Sequence, residues 1–100
     1  MFSIIIPSYN NLNYLKICIK SLRRNSKYNH QIIVHVNEGS DGTKDFLDAE
    51  NIDYTYSSEN VGLCKAVNLA ARKSNMEYIV YSHDDFYFCP SWDEYFFKEI

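Results

Sequence analysis

The chain is short of the residues that punctuate irregular structure, with three glycines and two prolines in 100 residues. That excludes collagen-like, proline-rich and low-complexity architectures. Its three cysteines, Cys18, Cys64 and Cys89, are odd in number and include no C-x-x-C pair. A disulfide framework or zinc knuckle is therefore not expected. No apolar run approaches the roughly 20 residues that a membrane-spanning helix needs. The opening Met1-Phe2-Ser3-Ile4 lacks the basic-then-apolar order of a signal peptide, so the expected location is cytoplasmic. Positive charge is also not in excess: ten Lys and Arg face thirteen Asp and Glu, a formal charge of -3. Nucleic-acid binders draw much of their affinity from neutralising phosphates, so nucleic acid is not an expected partner.

What the chain does have is apolar and aromatic material. Hydrophobic residues make up 46 % and aromatics 16 %, led by nine Tyr and six Phe. This is a globular composition, sufficient for one small domain over residues 1–100. Short apolar runs alternate with amphipathic stretches. Residues 2–6 read as a buried strand that Pro7 terminates. Leu15, Cys18, Ile19 and Leu22 follow at i, i+3, i+4 and i+7, a helical stripe with Asn10, Asn11 and Asn13 available as caps. Residues 31–36 form a second strand. Gly39-Ser40-Asp41-Gly42-Thr43 is a turn before a short helix near residues 44–49, and residues 54–56 are a weaker strand. Leu63, Ala66, Val67, Ala70 and Ala71 mark another helical face, with Asn60 as its cap, before a fourth strand over residues 77–81. Ser91-x-x-Glu94 has capping-box spacing for a last helix, which Trp92 anchors to the sheet.

Alternating strands and helices predict an α/β fold: an open, Rossmann-like sheet of about four parallel strands, flanked by helices in three layers. Ligands of such sheets bind beyond the carboxyl ends of the strands. Three chemistry-bearing stretches fall there. After the fourth strand stands His83-Asp84-Asp85; adjacent carboxylates at a strand end suit a hard cation such as Mg²⁺ or Mn²⁺. After the second strand, Glu38 reads either as an acceptor for a base or ribose, as an acid there is in dinucleotide folds, or as part of a plain tight turn. After the first strand, Tyr9 offers a ring for stacking on a base, with half-buried packing, in a chain so rich in Tyr, as the other reading. Lys16, Lys20, Arg23, Arg24 and Lys27 read as a solvated helix face, with membrane-surface or acceptor-phosphate contact as the other reading. His30 and His35 lack ligand-spaced partners and receive no role. Cys64 and Cys89 have no neighbouring base to make a nucleophile.

In this order the segments resemble family 2 glycosyltransferases of the GT-A fold. Ser3-Ile4-Ile5-Ile6-Pro7-Ser8-Tyr9-Asn10 is similar to that family's opening. Asn37-Glu38-Gly39-Ser40-Asp41-Gly42-Thr43 is similar to its second-strand motif, Glu59-Asn60-Val61-Gly62 with Asn68 to its Asn-x-Gly helix entry, and His83-Asp84-Asp85 with Pro90 to its D-x-D region. The resemblance covers essentially the whole chain. It implies an inverting sugar transfer from a nucleotide-diphosphate donor of UDP or GDP type, assisted by Mn²⁺ or Mg²⁺. By that resemblance Pro7, Tyr9 and Glu38 serve the base, Lys65 the diphosphate, Asp84 the ribose or diphosphate, and Asp85, with Asp84 nearby, the metal.

The chain departs from the family pattern in places. His83 stands at the first acid of D-x-D, Glu38 replaces Asp, the loop after it is one residue shorter, and Val67 occupies a position where many members carry Arg. The resemblance also puts the catalytic base and the acceptor-binding half beyond Ile100, so no catalytic residue is expected in these 100 residues. The acceptor, whether carbohydrate, lipid or protein, is not indicated. The alternative reading is a non-catalytic nucleotide-binding or assembly module built on the same fold. A receiver domain fits less well, since its acid pair follows the first strand. A nucleotidyltransferase lacks here the Gly-rich, basic opening loop that triphosphates need.

Overall fold

The computed structural model describes residues 1–99. The elements are β1 (Phe2–Tyr9), α1 (Leu12–Asn25), β2 (Gln31–Asn37), α2 (Thr43–Ala49), β3 (Asp53–Ser57), α3 (Leu63–Ala71), β4 (Tyr78–Tyr81) and α4 (Trp92–Glu99). The strands form one sheet in the order β3-β2-β1-β4, and every pairing is parallel. The register sets Ile4 of β1 beside Ile32 of β2 and Val80 of β4.

The period of two along β1 divides the core. Ile4 and Ile6 face a main cluster with Leu15, Cys18, Ile19 and Leu22 of α1 and Leu47 of α2; Trp92 and Phe97 of α4 pack against the same cluster. Ile5 faces the other way, with Ile33, Ala70, Val67 and Ala71. The result is three layers, with α1, α2 and α4 on one face and α3 on the other. Ile4, Ile5 and Ile6 are all fully buried, each stabilising the fold by about 1.5–3 kcal/mol relative to exposure. Small alanines on α3 let that helix approach the sheet closely, whereas α1 presents branched and long side chains to the thicker side.

The strand expected to stop at Pro7 continues to Tyr9. On one side Pro7 is in register with His35 of β2. The β4 ladder, however, ends at the Ile5–Tyr81 pair, where Ser82 N–H donates to Ile5 O at 2.9 Å. Backbone groups two residues apart point to the same side, so Pro7 lacks its N–H on the side where β4 has already ended. No ladder hydrogen bond is lost there.

The expected Asn cap of α1 is also replaced. Asn11 occupies the cap position without a side-chain bond. Leu12 N–H donates instead to Asp41 Oδ2 at 3.0 Å, while Thr43 N–H donates to Asp41 Oδ1 at 3.3 Å. One carboxylate from the β2–α2 loop thus satisfies orphan donors at the starts of two helices, whose dipoles favour its charge. Nor does Asn60 cap α3: Gly62 takes that position, and Asn60 Oδ1 accepts the Gly62 N–H in a local turn. Replacing Asp41 by alanine is expected to cost about 1–2 kcal/mol, measured as a shift in the urea midpoint with an unchanged slope.

Of the basic strip on α1, Arg23 pairs with Glu50 at 2.7 Å, and Lys27 just beyond the helix pairs with Glu94 at 3.1 Å. Lys16 lies over the Phe46 ring, 5.5 Å from its centroid. These exposed contacts contribute little individually, and they match a solvated face. Trp92 packs edge-on against Phe88 and donates from Nε1 to Ser26 Oγ at 3.0 Å, tying α4 down. His30 and His35, given no role from sequence, are both structural: His30 is hydrogen-bonded to the buried Asp93, and His35 sits in a polar network under the sheet edge.

Candidate functional site

The strand order reverses between β1 and β4, because the chain runs outward through β2 and β3 and then returns to the far side of β1. Loops leaving two such strands diverge and open a crevice at their carboxyl ends. A cleft of about 360 Å³ lies there, lined by Pro7, Ser8 and Tyr9 from β1, His83 and Asp84 after β4, and Asn11, Asn37, Asn60, Gly62 and Leu63. A slightly larger hollow of about 400 Å³ lies at the opposite sheet edge, around Tyr28, His30, Gln31 and Asp53. Its Gln31 side chain is fully engaged with Ser3, Asp53, Lys73 and Asn75. The smaller cleft is the one at the switch point, and it gathers polar side chains from β1, β2 and the loop after β4.

Among the residues named from sequence, Pro7, Tyr9 and Asp84 line this cleft together. Tyr9 is half exposed at 51 %. Its phenol is held above its ordinary pKa by the Glu38 carboxylate, first through a hydrogen bond and then through its negative charge. That contact brings Glu38 to the rim. The backbone there is unusual: Glu38 and Asn10 both have positive φ, 63° and 44°, a conformation that non-glycine residues hold only when neighbours enforce it. Glu38 N–H is fixed by Ser57 O at 2.9 Å, and Ser40 N–H by Asn10 Oδ1 at 3.0 Å, which staples the β2 loop to the β1 loop. Gly39 has φ +68°, and a Cβ there would lie 2.5 Å from Val36 Cγ1, so a side chain is excluded by both strain and space.

The acidic loop separates its two carboxylates. Asp84 is half-buried and accepts a 2.8 Å hydrogen bond from Ser8 Oγ. Asp85 is exposed and does not line the cleft. His83 stacks edge-on between Tyr81 and Phe86. Beneath them the buried Cys18 thiol is pushed up to about 12 by burial and then by the Asp84 charge, which makes it an inert packing group rather than a nucleophile. Among the described residues, no three His, Cys, Asp or Glu side chains converge on a point where an ion could sit. The available oxygens nevertheless fit Mg²⁺ or Mn²⁺, which use one or two carboxylates and complete their shell with substrate phosphates and water. Lys65 is exposed two residues inside α3 and lies outside the cleft lining.

Sequence reading missed Ser8 and Asn37. Asn37 is 4 % exposed, and its Oδ1 accepts from Ser57 Oγ at 3.0 Å and from Val61 N–H at 3.1 Å. Behind it, His35 bonds Thr55 Oγ1 at 2.7 Å and Ser57 Oγ at 3.0 Å; burial pushes the His35 pKa below its ordinary value. A polar residue ending the apolar run 32–36 was the available signal for Asn37. Nothing local marked Ser8.

A four-stranded parallel sheet with a crevice at the β1/β4 switch point, flanked by helices on both faces, defines an α/β domain of GT-A type. The profile described as Glycosyl transferase family 2 matches residues 3–100, and the chain belongs to that family. It is 38 % identical over 96 residues to an uncharacterised glycosyltransferase of Rickettsia conorii, covering 88 % of this chain and 15 % of that protein. Its fold is similar to S. aureus TarS 1–349 in complex with UDP-GlcNAc, with TM-score 0.82 and 19 % identity over 97 % of this chain and 30 % of that one. It is also similar to the mannosyltransferase PcManGT of Pyrobaculum calidifontis in complex with GDP-Man and Mn²⁺, with TM-score 0.80 and 21 % identity over 92 % of this chain and 29 % of that one. At such identities the likeness establishes the fold. The chain spans less than a third of each of these three proteins. Among the described residues, no helix is long and apolar enough to cross a membrane.

Proposed function

We propose that this domain is the donor-binding half of an inverting glycosyltransferase that takes a UDP- or GDP-linked sugar with the help of Mn²⁺ or Mg²⁺. The observation that carries the reading is the cleft at the switch point, where Tyr9 and Asp84 share one wall-to-wall space. Tyr9, Pro7 and Glu38 serve the base. Asp84 meets the ribose or diphosphate, Lys65 approaches the diphosphate, and Asp85 reaches the cation. When bound, the cation neutralises the diphosphate as it departs. The protein groups supply orientation: the β1 and β2 loops are stapled before ligand arrives, so little ordering cost falls on binding. The base that activates the acceptor is not assigned to any residue in 1–100. The exposed, unpaired thiols of Cys64 and Cys89 fit a reducing cytoplasmic setting.

The test is calorimetric titration of UDP and GDP with and without Mn²⁺. The cation is expected to raise affinity for one of them at least tenfold, about 1.4 kcal/mol, and Asp85→Ala is expected to abolish that gain. Equal affinity with and without the cation would count against the reading. The second reading, a non-catalytic nucleotide-binding module, is favoured by His83 at the first acid position of the acidic loop. It predicts the same nucleotide binding with the donor sugar left intact at high protein concentration.

A further inference from the structure

We propose that Ser8 is a positioning residue, holding Asp84 for the ligand and leaving Asp85 as the mobile acid; this rests on the donor-site reading above. Past the Ile5–Tyr81 pair the β1–β4 ladder has ended, and Pro7 offers no N–H on that side to continue it. The acidic loop is nonetheless held. Ser82 N–H reaches back to Ile5 O at 2.9 Å, Cys18 Sγ makes a weak 3.6 Å contact to His83 O, and Ser8 Oγ donates to Asp84 Oδ2 at 2.8 Å. Of these, only the Ser8 contact acts on a carboxylate.

Ser8 is itself 3 % exposed and anchored in β1 opposite Val36 of β2, so its hydroxyl is fixed by the sheet rather than by a loop. A short bond from a rigid donor to a carboxylate removes rotamer freedom from Asp84 before ligand arrives. One Asp84 oxygen is engaged by Ser8, and the other is left for a ribose hydroxyl or a cation. Asp85, one residue on, is exposed and adjusts to whichever cation–diphosphate geometry is present. The two neighbouring acids thus divide the work: one is preorganised and the other adaptable.

The experiment is a double-mutant cycle read by calorimetry. UDP and GDP are titrated, with and without Mn²⁺, into the wild type, Ser8→Ala, Asp84→Ala and the double variant, and each melting temperature is recorded. Losing a hydrogen bond to a charged group is expected to reduce the Mn²⁺-dependent affinity of Ser8→Ala about tenfold. Its melting temperature is expected to stay close to wild type, and its metal-free affinity to fall by less than the metal-dependent gain does. In the Asp84→Ala background, Ser8→Ala is expected to cause no further loss, because its effect passes through that carboxylate. A Ser8→Ala variant with the full metal-dependent gain overturns the proposal. So does an equal loss in both backgrounds, or a parallel fall of metal-free affinity and melting temperature, each of which marks a general packing role. A wild type that binds neither nucleotide overturns the donor-site reading and this proposal together, an outcome visible before any variant is compared.

Discussion

Replacing Asp93 by alanine is expected to destabilise the domain by about 2–4 kcal/mol, a large part of the roughly 5–15 kcal/mol that holds a fold of this kind. Asp93 lies in the first turn of α4 and is completely buried. Its Oδ1 accepts from Lys27 N–H at 3.1 Å, and its Oδ2 from Tyr28 N–H at 2.9 Å and His30 Nε2 at 2.8 Å. Phe2 N–H donates to His30 Nδ1 at 3.1 Å, so that nitrogen carries no proton and the ring presents its Nε2–H to Asp93. The contact is therefore a charge-assisted hydrogen bond from the His30 ring to the carboxylate. Alanine leaves three part-buried donors without their acceptor, each costing up to about 1–3 kcal/mol, offset in part by no longer burying a charge. It also frees the His30 ring, which stacks on Phe2 at 5.2 Å, so α4 loses its tie to β1.

The same site predicts an acid dependence. Burial alone raises the Asp93 pKa, but the N–H of Tyr28, the His30 ring and the N–H of Lys27 outweigh it and hold the carboxyl below its ordinary value of about 3.8. A carboxyl depressed in the folded state contributes stability that is complete above the unfolded value. That contribution is lost as pH falls through the lower folded one. The Asp93 contribution is thus constant at neutral pH and fades below about 3.8. Urea denaturation of Asp93→Ala at pH 7 checks the magnitude, and a loss under 1 kcal/mol would show that the donors find water instead. Asp93→Asn, which keeps one acceptor oxygen, is expected to fall between.

The sheet and its helices were legible from sequence because apolar periodicity is a local property that tertiary packing here reinforces. Leu15, Cys18, Ile19 and Leu22 repeat at helical spacing, and all four are buried where that stripe predicts. Asn60 yields its cap position to Gly62 two residues on, but three other outcomes share a long-range cause. Pro7 stops a strand only if its missing N–H faces a partner, and whether it does depends on where β4 ends, more than 70 residues later. Asn11 is a good local cap, but Asp41 reaches Leu12 from 29 positions away and takes the place. His30 finds its partner 63 residues on. Each outcome is decided by long-range contacts that no window of sequence contains.

The site shows the same division. Asp84 and Tyr9 stand out in sequence because ionic or aromatic groups directly follow apolar strands, and the cleft gathers both with Pro7. Ser8 is silent in sequence because serine in a strand carries no signal; its meaning is the 76-residue separation from Asp84. Glu38 and Asp85 are brought to the cleft's surroundings but do not form its walls.

Asn37→Ala is expected to cost about 2–3 kcal/mol and to weaken nucleotide binding as well. Its buried Oδ1 is the acceptor for Val61 N–H at 3.1 Å and for Ser57 Oγ at 3.0 Å. Ser57 has a second acceptor in Glu59 O at 2.8 Å, so its hydroxyl can turn away without loss. Val61 N–H has no such substitute, and one orphaned buried donor plus the space left by the amide accounts for the expected cost. The functional effect follows from the chain path. Val61 precedes Gly62, whose backbone lines the cleft beside Asn60 and starts α3. Freeing Val61 therefore loosens the wall that faces Asp84. Asn37→Asp keeps the acceptor oxygen but buries a charge, so it is expected to retain the α3 entry while losing stability as pH rises above the carboxyl's pKa. Denaturation midpoints and UDP or GDP titrations on the two variants separate the effects. If Asn37→Ala lost stability yet bound nucleotide like wild type, the α3 entry would have no part in holding the ligand, and the cleft would be a feature of β1 and β4 alone.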